Sequence, residues 1–588
     1  MRASRLLAAA AAVAIALPVL AQEVAPGPAT NTVAPVPTPA PAPNAPAARP
    51  SSSSSGGGES ETGVVELPVE EQLAQPEPPV EYPDYARRDV SVSGRLDPIE
   101  LGLGPSPWRG ASGAFLSTLL RRMDTPLASR WVHIALRNAL IARTAAPRNV
   151  NPVDWTAERS WLLLRMGEAD ASRILVSGVD TDRFTPKMTQ VAVQSALANA
   201  DPAALCPLQD GLRKAEPNIV QLVDAMCAAL AGEPEAAAEQ VDSARRRGRM
   251  SGIDLELAQK VVGAGSNTGR AVTILWDPVD RLDTWRFGLA TATGMTFPKR
   301  LIDDAPVQLR AWQASAPMIA PVDRLESAEI ATGLGVFSGQ ALTDLHSLIY
   351  DATGPDELSD TLAWQVHLAF TGRDLETRVG AMRKLWTNSK VPLRRYGAHA
   401  LLGRAATRVP PSADLQSDAP DLIASMLAAG FDREAARWAT AVNQMDDEYS
   451  DAAWALLALG APDGTKVDVG VRRIDAFIGR DKSEGRKRSA LLVAGLVGLG
   501  RLDAATAGRL SGRYGLRLGL RSSWTRMIDQ AAGLGQTGTV LVLAGTGLQA
   551  ASFNDVPPSH VYHAIAALRN TGQGFLARMA AAEALART

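Results

Sequence analysis

From Trp108 to the C-terminus, the apolar residues of this chain recur at three- and four-residue spacing, in segments of about 10–18 residues separated by short breaks of Gly, Pro, Asp and Ser. Such spacing lines up the apolar side chains of each segment along one stripe of an α-helix, and a stripe of that kind needs a neighbouring helix to cover it. The Arg-rich, Lys-poor segment Trp131–Arg143 is one instance. Almost nothing alternates with the period of two that a half-buried strand requires. The exceptions are Val90-Ser91-Val92-Ser93 and Thr539–Leu543, and a buried helix accounts for the second equally well. Only 5% of the residues are aromatic while alanine is abundant, which favours closely packed helices. The fold class expected is therefore all-α.

A local pattern recurs within this frame: a glycine ends one apolar helix and a small residue five positions later opens the next. It pairs Gly167 with Ser172, Gly232 with Ala237, Gly372 with Thr377, Gly430 with Ala435, Gly500 with Ala505 and Gly572 with Ala577. The glycine supplies a left-handed turn, and the small residue lets the second helix pack close against the first. Successive intervals of 65, 140, 58, 70 and 72 residues suggest a loose repeat of about two 34-residue hairpins. The spacing resembles the tetratricopeptide (TPR) helical hairpin, best in Leu427-Ala428-Ala429-Gly430-Phe431-Asp432-Arg433-Glu434-Ala435-Ala436-Arg437-Trp438, although no unit carries that family's early tryptophan and late proline. The resemblance implies a right-handed α-solenoid of TPR-like hairpins. The chain is also similar to a family of exported alphaproteobacterial proteins without an assigned activity. Leu96-Asp97-Pro98, Gly102-Leu103, Trp108, the Cys206/Cys227 hairpin and the helix pair around Leu325–Leu345 carry that likeness, which implies the same architecture and no site residues.

The N-terminus has the form of a secretory signal: Arg2 and Arg5, an apolar run from Leu6 to Leu20, and a small-residue exit at Ala21. An uncleaved inner-membrane anchor is the alternative, although the run is shorter than the roughly 20 residues a spanning helix needs. Residues 22–83 contain 14 prolines and a Ser51–Ser55 run followed by Gly56–Gly58, a composition unable to bury enough surface to fold. As a flexible tether this segment reaches on the order of 45 Å. The organisation expected is a signal peptide over 1–21, a disordered linker over 22–85, an extended lead-in over 86–107, and helical repeats over 108–275 and 276–588.

The formal charge of −2 provides no field to attract nucleic acid. Metal binding needs clustered ligands, and the six histidines, at 133, 346, 367, 399, 560 and 563, offer only the His560/His563 pair. Gly263–Gly269 and Gly545-Thr546-Gly547 lack the Gly-Lys-Ser/Thr ending of a phosphate loop and are expected to be inter-helix turns. Gly335-Val336-Phe337-Ser338-Gly339 has its glycines at the wrong offsets for a nucleophile elbow. Lytic transglycosylases also place an enzyme domain after an alanine-rich superhelix, but Glu434, Glu448, Glu484 and Glu583 are the only glutamates in the last 160 residues, and none is followed by a stretch like that family's Gly-Leu-Met-Gln. The basic runs Arg245-Arg246-Arg247 with Arg249, and Arg480–Arg488, read as solvated helix ends. Most of the 12 tryptophans belong to the core, with Trp155, Trp161 and Trp438 as candidates to line a groove that stacks sugars or peptides. No catalytic residue, cofactor or metal is expected. The chain reads as a periplasmic scaffold or adaptor for another envelope protein or peptide, or a glycan, without nucleic acid and without stable membrane insertion once the signal is cleaved. The alternative is a cell-wall or glycan-processing enzyme using scattered acids such as Asp446, Asp447 and Glu448.

Two cysteines complete the reading. A helix over about Pro202–Ala215 and another over about Pro217–Ala231 turn near Glu216, so Cys206 lies 10 residues before the turn and Cys227 lies 11 after it. Antiparallel helices then place the two thiols opposite one another, and an oxidising destination favours a disulfide over two buried thiols. Nothing resembles the redox Cys-x-x-Cys motif. Closing this loop should contribute about 3 kcal/mol on the chain-entropy model. Titration of the unfolded, non-reduced protein should find no free thiol; two free thiols would remove the bridge.

Overall fold

The computed structural model describes residues 83–247, 250–267 and 273–588. The expected signal peptide and the linker up to residue 82 lie outside the described residues. Among those described, the structure is helical apart from one short strand pair and isolated bridges, and no helix is long and apolar enough to cross a membrane.

Five of the six glycines in the recurrent pattern adopt positive φ, namely Gly167, Gly232, Gly430, Gly500 and Gly572. The small residues Ser172, Ala237, Ala435 and Ala577 that follow are wholly buried, so each hairpin closes on its small-residue face. The pattern departs at two places. Gly372 leaves its helix in an extended conformation (φ −49°, ψ 138°), because Asp374 caps the next helix by accepting from the Thr377 amide at 2.8 Å. Ala505 is exposed, and the packing role there passes to Thr506 and Ala507.

Other glycines are needed for room. Helices Pro321–Leu334 and Pro392–Ala406 cross so closely that a Cβ on Gly333 would lie 2.1 Å from the Leu393 carbonyl oxygen, and one on Gly397 would lie 2.4 Å from that of Glu329. Gly545 and Gly547, expected in an inter-helix turn, instead lie in the last turn of helix Thr537–Gly547. A Cβ on Gly547 would meet the Trp524 ring at 2.1 Å. Composition cannot separate a glycine that turns a chain from one that admits a neighbour. Gly263 likewise lies within a helix, Ile253–Gly265. Thr539–Leu543 belongs to a buried helix.

Of the lead-in expected to be extended over 86–107, only Val92–Ser93 forms a strand, and the chain turns at 98–102, where the amides of Leu101, Gly102 and Leu103 bond back to Asp97, Ile99 and Pro98. Val92–Ser93 pairs antiparallel with Thr144–Ala145, and behind the pair lies Arg159, fully buried and without an ion pair among the described residues. Its guanidinium donates to the carbonyls of Ala142 at 3.2 Å and Ser93 at 3.1 Å, and to the Ser93 hydroxyl. Burial pushes the Arg159 guanidinium down to about 9. Cys206 and Cys227 are bonded to one another with Cα atoms 5.6 Å apart. Cys206 lies in a 3-10 stretch, Pro202–Leu208, that precedes helix Gln209–Ala215. Pro207, which has no amide hydrogen to donate, interrupts the α-helix expected there.

Apolar packing does not divide at residue 275. The largest core joins helices between residues 113 and 175 to helices between 307 and 586, while two smaller cores gather the chain between about 153 and 312. Nor is stacking confined to sequence neighbours. The last helix, Gly574–Ala586, packs against helices Arg130–Ile141, Ala419–Ala428, Asp447–Gly460, Lys487–Gly498 and Pro558–Asn570. Its sequence explains this: GFLARMAAAEALA is apolar nearly all round, and such a helix has to be surrounded.

One buried junction fixes that arrangement. The Glu583 carboxylate, with no exposed surface, accepts from the Ser129 hydroxyl at 2.6 Å, the Arg130 amide at 2.8 Å and the Trp131 amide at 3.2 Å. It therefore caps the N-terminus of helix Arg130–Ile141. The Arg130 side chain donates to the carbonyls of Thr332 at 2.9 Å and Ala428 at 3.0 Å, at the C-terminal ends of helices Pro321–Leu334 and Ala419–Ala428. Arg587 completes the junction, donating to Glu583 at 2.9 Å and to the Ala128 carbonyl at 2.5 Å. Removing one member of such a buried set leaves the others uncompensated. Glu583→Ala should lower the unfolding free energy by about 3–5 kcal/mol in urea denaturation, whereas an exposed charge such as Glu448 changed to Ala should shift it by less than about 0.5 kcal/mol.

Candidate functional site

Helices Pro152–Arg165 and Pro186–Ala198 begin side by side. Asn151 caps the first, accepting from the amides of Val153 and Asp154, and Thr185 caps the second, accepting from the amide of Met188. Each has proline in its first turn, where the missing amide hydrogen costs nothing. The Thr185 hydroxyl also donates to Asp154 at 2.7 Å, tying the two starts together.

Between these helices opens a cavity of about 420 Å³, lined among others by Glu158 and Trp161 from the first helix, by Lys187, Gln190 and Gln194 from the second, and by Arg121 and Glu216 from adjoining segments. The Glu158 side chain is only 4% exposed. Its Oε1 meets Lys187 Nζ at 2.9 Å and Arg121 Nε at 3.2 Å. Trp161 is half-buried, as is Gln194. Of the three tryptophans singled out from the sequence, only Trp161 lines this cavity. Trp155 and Trp438 are buried at 0% and 1% exposure, the first edge-on to Trp108. Glu158 was not singled out, though it stands three residues before Trp161 and so shares its helix face.

The acids of the alternative reading lie elsewhere. Asp446, Asp447 and Glu448 are exposed at the start of helix Asp447–Gly460. Asp446 accepts from Gln416 at 2.9 Å and Asp447 pairs with Arg480 at 3.1 Å. A second cavity, of about 410 Å³, adjoins them, but two of its arginines are committed to a carboxylate behind its wall. Arg473 and Arg480 both grip Asp451, at 2.5 and 2.6 Å, and the Arg473 guanidinium lies 4.3 Å from the centre of the Trp454 ring. Burial alone would raise the Asp451 carboxyl, but the hydrogen bonds from Arg480 and Arg473 hold it below the usual carboxylate range. Arg480 stands at the exposed end of helix Val471–Arg480, as expected, and also buttresses Asp451. Lys487 is a further buttress, donating to the carbonyls of Asn554 at 2.9 Å and Val556 at 2.7 Å. Glu583 serves as a helix cap. Ser338, within the glycine-flanked string, caps helix Gly339–Ala352 by accepting from the Ala341 amide at 3.0 Å.

The histidines act separately. His560 Nδ1 lies 3.0 Å from the Gly547 carbonyl oxygen and His563 Nδ1 lies 2.8 Å from Asp529, so the pair that shares a helix face turns to different partners. No group of three or more His, Cys, Asp or Glu among the described residues is placed to hold a metal ion. Comparison with protein-family models, curated proteins and solved structures finds no match for the chain.

His346 is the most strongly isolated titratable group. It is 2% exposed in helix Gly339–Ala352, neither ring nitrogen has a hydrogen-bond partner among the described residues, and burial pushes the imidazole from 6.5 down to about 4. An unfolded chain takes up a proton near pH 6.5 that the folded chain accepts only near 4, so stability falls as pH drops through that window, by about 3 kcal/mol in all. His346→Leu removes this dependence. Between pH 7.5 and 5, the wild type should lose about 2 kcal/mol more than the variant in urea denaturation; equal losses would show that the ring meets a proton acceptor or solvent.

Proposed function

We propose that this protein is an exported, periplasmic helical-repeat scaffold or adaptor that holds a protein, peptide or polymer of the bacterial envelope without chemically altering it. The observation that carries the reading is the Trp161 cavity. It opens between two helices whose starts are fixed to each other, and it presents an aromatic wall beside charges that compensate one another. Such a mixture of apolar wall and few convergent polar groups is the usual make-up of a binding site. The N-terminal signal and the Cys206–Cys227 bridge support an oxidising destination outside the cytoplasm. A right-handed succession of TPR-like hairpins is the finer architecture inferred, supported by the recurrent left-handed glycine turns.

Glycan hydrolysis would call for two carboxyl groups facing one cleft, one of them free to give up a proton. Glu158 is clamped between Lys187 and Arg121, which favours holding over cleaving. Cell fractionation with N-terminal sequencing should recover the protein from the periplasm with Gln22 at its start, and the purified protein should leave peptidoglycan intact in a zymogram while cross-linking reproducibly to one envelope component in whole cells. Retention in the cytoplasm, a cleared zone, or no reproducible adduct would each overturn the reading.

A further inference from the structure

The Trp161 cavity has an unspent hydrogen-bond acceptor. Both cations approach Glu158 at Oε1; no hydrogen bond among the described residues reaches Oε2, and Oε2 is not among the polar atoms sealed from solvent without a partner. A carboxylate oxygen on a side chain 4% exposed, facing a cavity, is poorly hydrated and gains most from a ligand that brings a donor. Gln194, one turn beyond Gln190 on the opposite helix, makes no hydrogen bond among the described residues and offers both a donor and an acceptor.

Charge and wall chemistry narrow the ligand further. Glu158 and Glu216 balance Arg121 and Lys187, so the lining carries no formal net charge and gives neither an anion nor a cation an advantage. The two walls are helices whose main-chain groups bond within the helices. A peptide backbone entering here would find no exposed strand edge to pair with. A hydroxyl group both donates and accepts, and so can satisfy Glu158 Oε2, Lys187 Nζ and the Gln194 amide in turn. Trp161 supplies a flat apolar surface for the C–H face of a ring. The volume, about 420 Å³, falls in the range of small-ligand sites, about 300–1,000 Å³.

We propose that this cavity binds a neutral saccharide unit, its ring laid on Trp161 and its hydroxyls bonded to Glu158, Lys187 and Gln194. The assignment deepens the binding role proposed above and rests on it. The test is calorimetric titration of the mature chain with maltose, cellobiose, lactose, mannobiose and N,N′-diacetylchitobiose, alongside galacturonate and a tri-alanine peptide as charged and peptide probes. At least one neutral disaccharide should bind, and Trp161→Ala and Gln194→Ala, each confirmed as folded by circular dichroism, should weaken it tenfold or more. Glu158→Gln, which keeps the shape and removes the charge, should weaken it by a similar factor, while Arg472→Ala in the second cavity should leave it unchanged. Binding of only the uronate or the peptide, lost in Trp161→Ala, would overturn the saccharide assignment and leave the binding role standing. Absence of binding by every neutral disaccharide, or binding indifferent to Trp161→Ala, would overturn the assignment, and the whole-cell cross-linking would then decide separately whether the scaffold reading survives.

Discussion

A carboxylate from the last helix completes the first turn of a helix laid down 453 residues earlier, and much of the packing is organised by that junction. The amides of Arg130 and Trp131 and the hydroxyl of Ser129 are donors with no partner of their own in helix Arg130–Ile141, and Glu583 collects all three. The Arg130 guanidinium performs the complementary service at the opposite poles of two further helices, donating to the Thr332 and Ala428 carbonyls. Three helix ends therefore meet with their dipoles matched by side-chain charge. Burial pushes the Arg130 guanidinium below its ordinary value, with Tyr396 and Glu583 acting against that shift, and burial, then Glu583, pushes the Tyr396 phenol well above its own.

The device recurs. Arg165 donates to the carbonyls of Leu120, in the last turn of helix Gly113–Arg122, and of Met123, just past it, and Arg501 does the same for Ala458 and Ala461 at the end of helix Asp447–Gly460. A planar fork with five donors can reach two carbonyls at once, as an ammonium on a flexible stem does less readily. The Arg-rich, Lys-poor character of these helices thus has a packing reason. Alanine-rich helices approach closely and leave little space for water at their ends, and arginine supplies the hydrogen bonds that water would otherwise provide.

The sequence makes the helical class legible because three- and four-residue spacing has no other economical reading, and it makes the turns at Gly167, Gly232, Gly430 and Gly572 legible because a positive φ asks for glycine. It conceals the junction. Glu583 in an alanine-rich segment reads the same whether it faces water or core, although the lack of a polar face on Gly574–Ala586 already argues against a place at the end of a stack. Pro207 inside the first cysteine segment signals the break in the expected helix. At the cavity, Trp161 is visible as a candidate from its residue type, while Glu158 becomes significant only once Lys187 and Arg121 are seen on one of its oxygens. Charges at 121, 158 and 187 come from three separate helices or helix ends, and no linear spacing brings them together.

Because the partner for the Arg130 turn is encoded at residue 583, the ribosome must add some 450 residues before the first large core can close. At about 5–20 residues per second that interval is about 20–90 seconds. Throughout it, apolar faces near the start of the chain stand open, and they stay open until the whole chain has reached the compartment in which it folds, so the protein depends on whatever shields such surfaces on the way, and a chain without Glu583 lacks the carboxylate that lets its beginning settle.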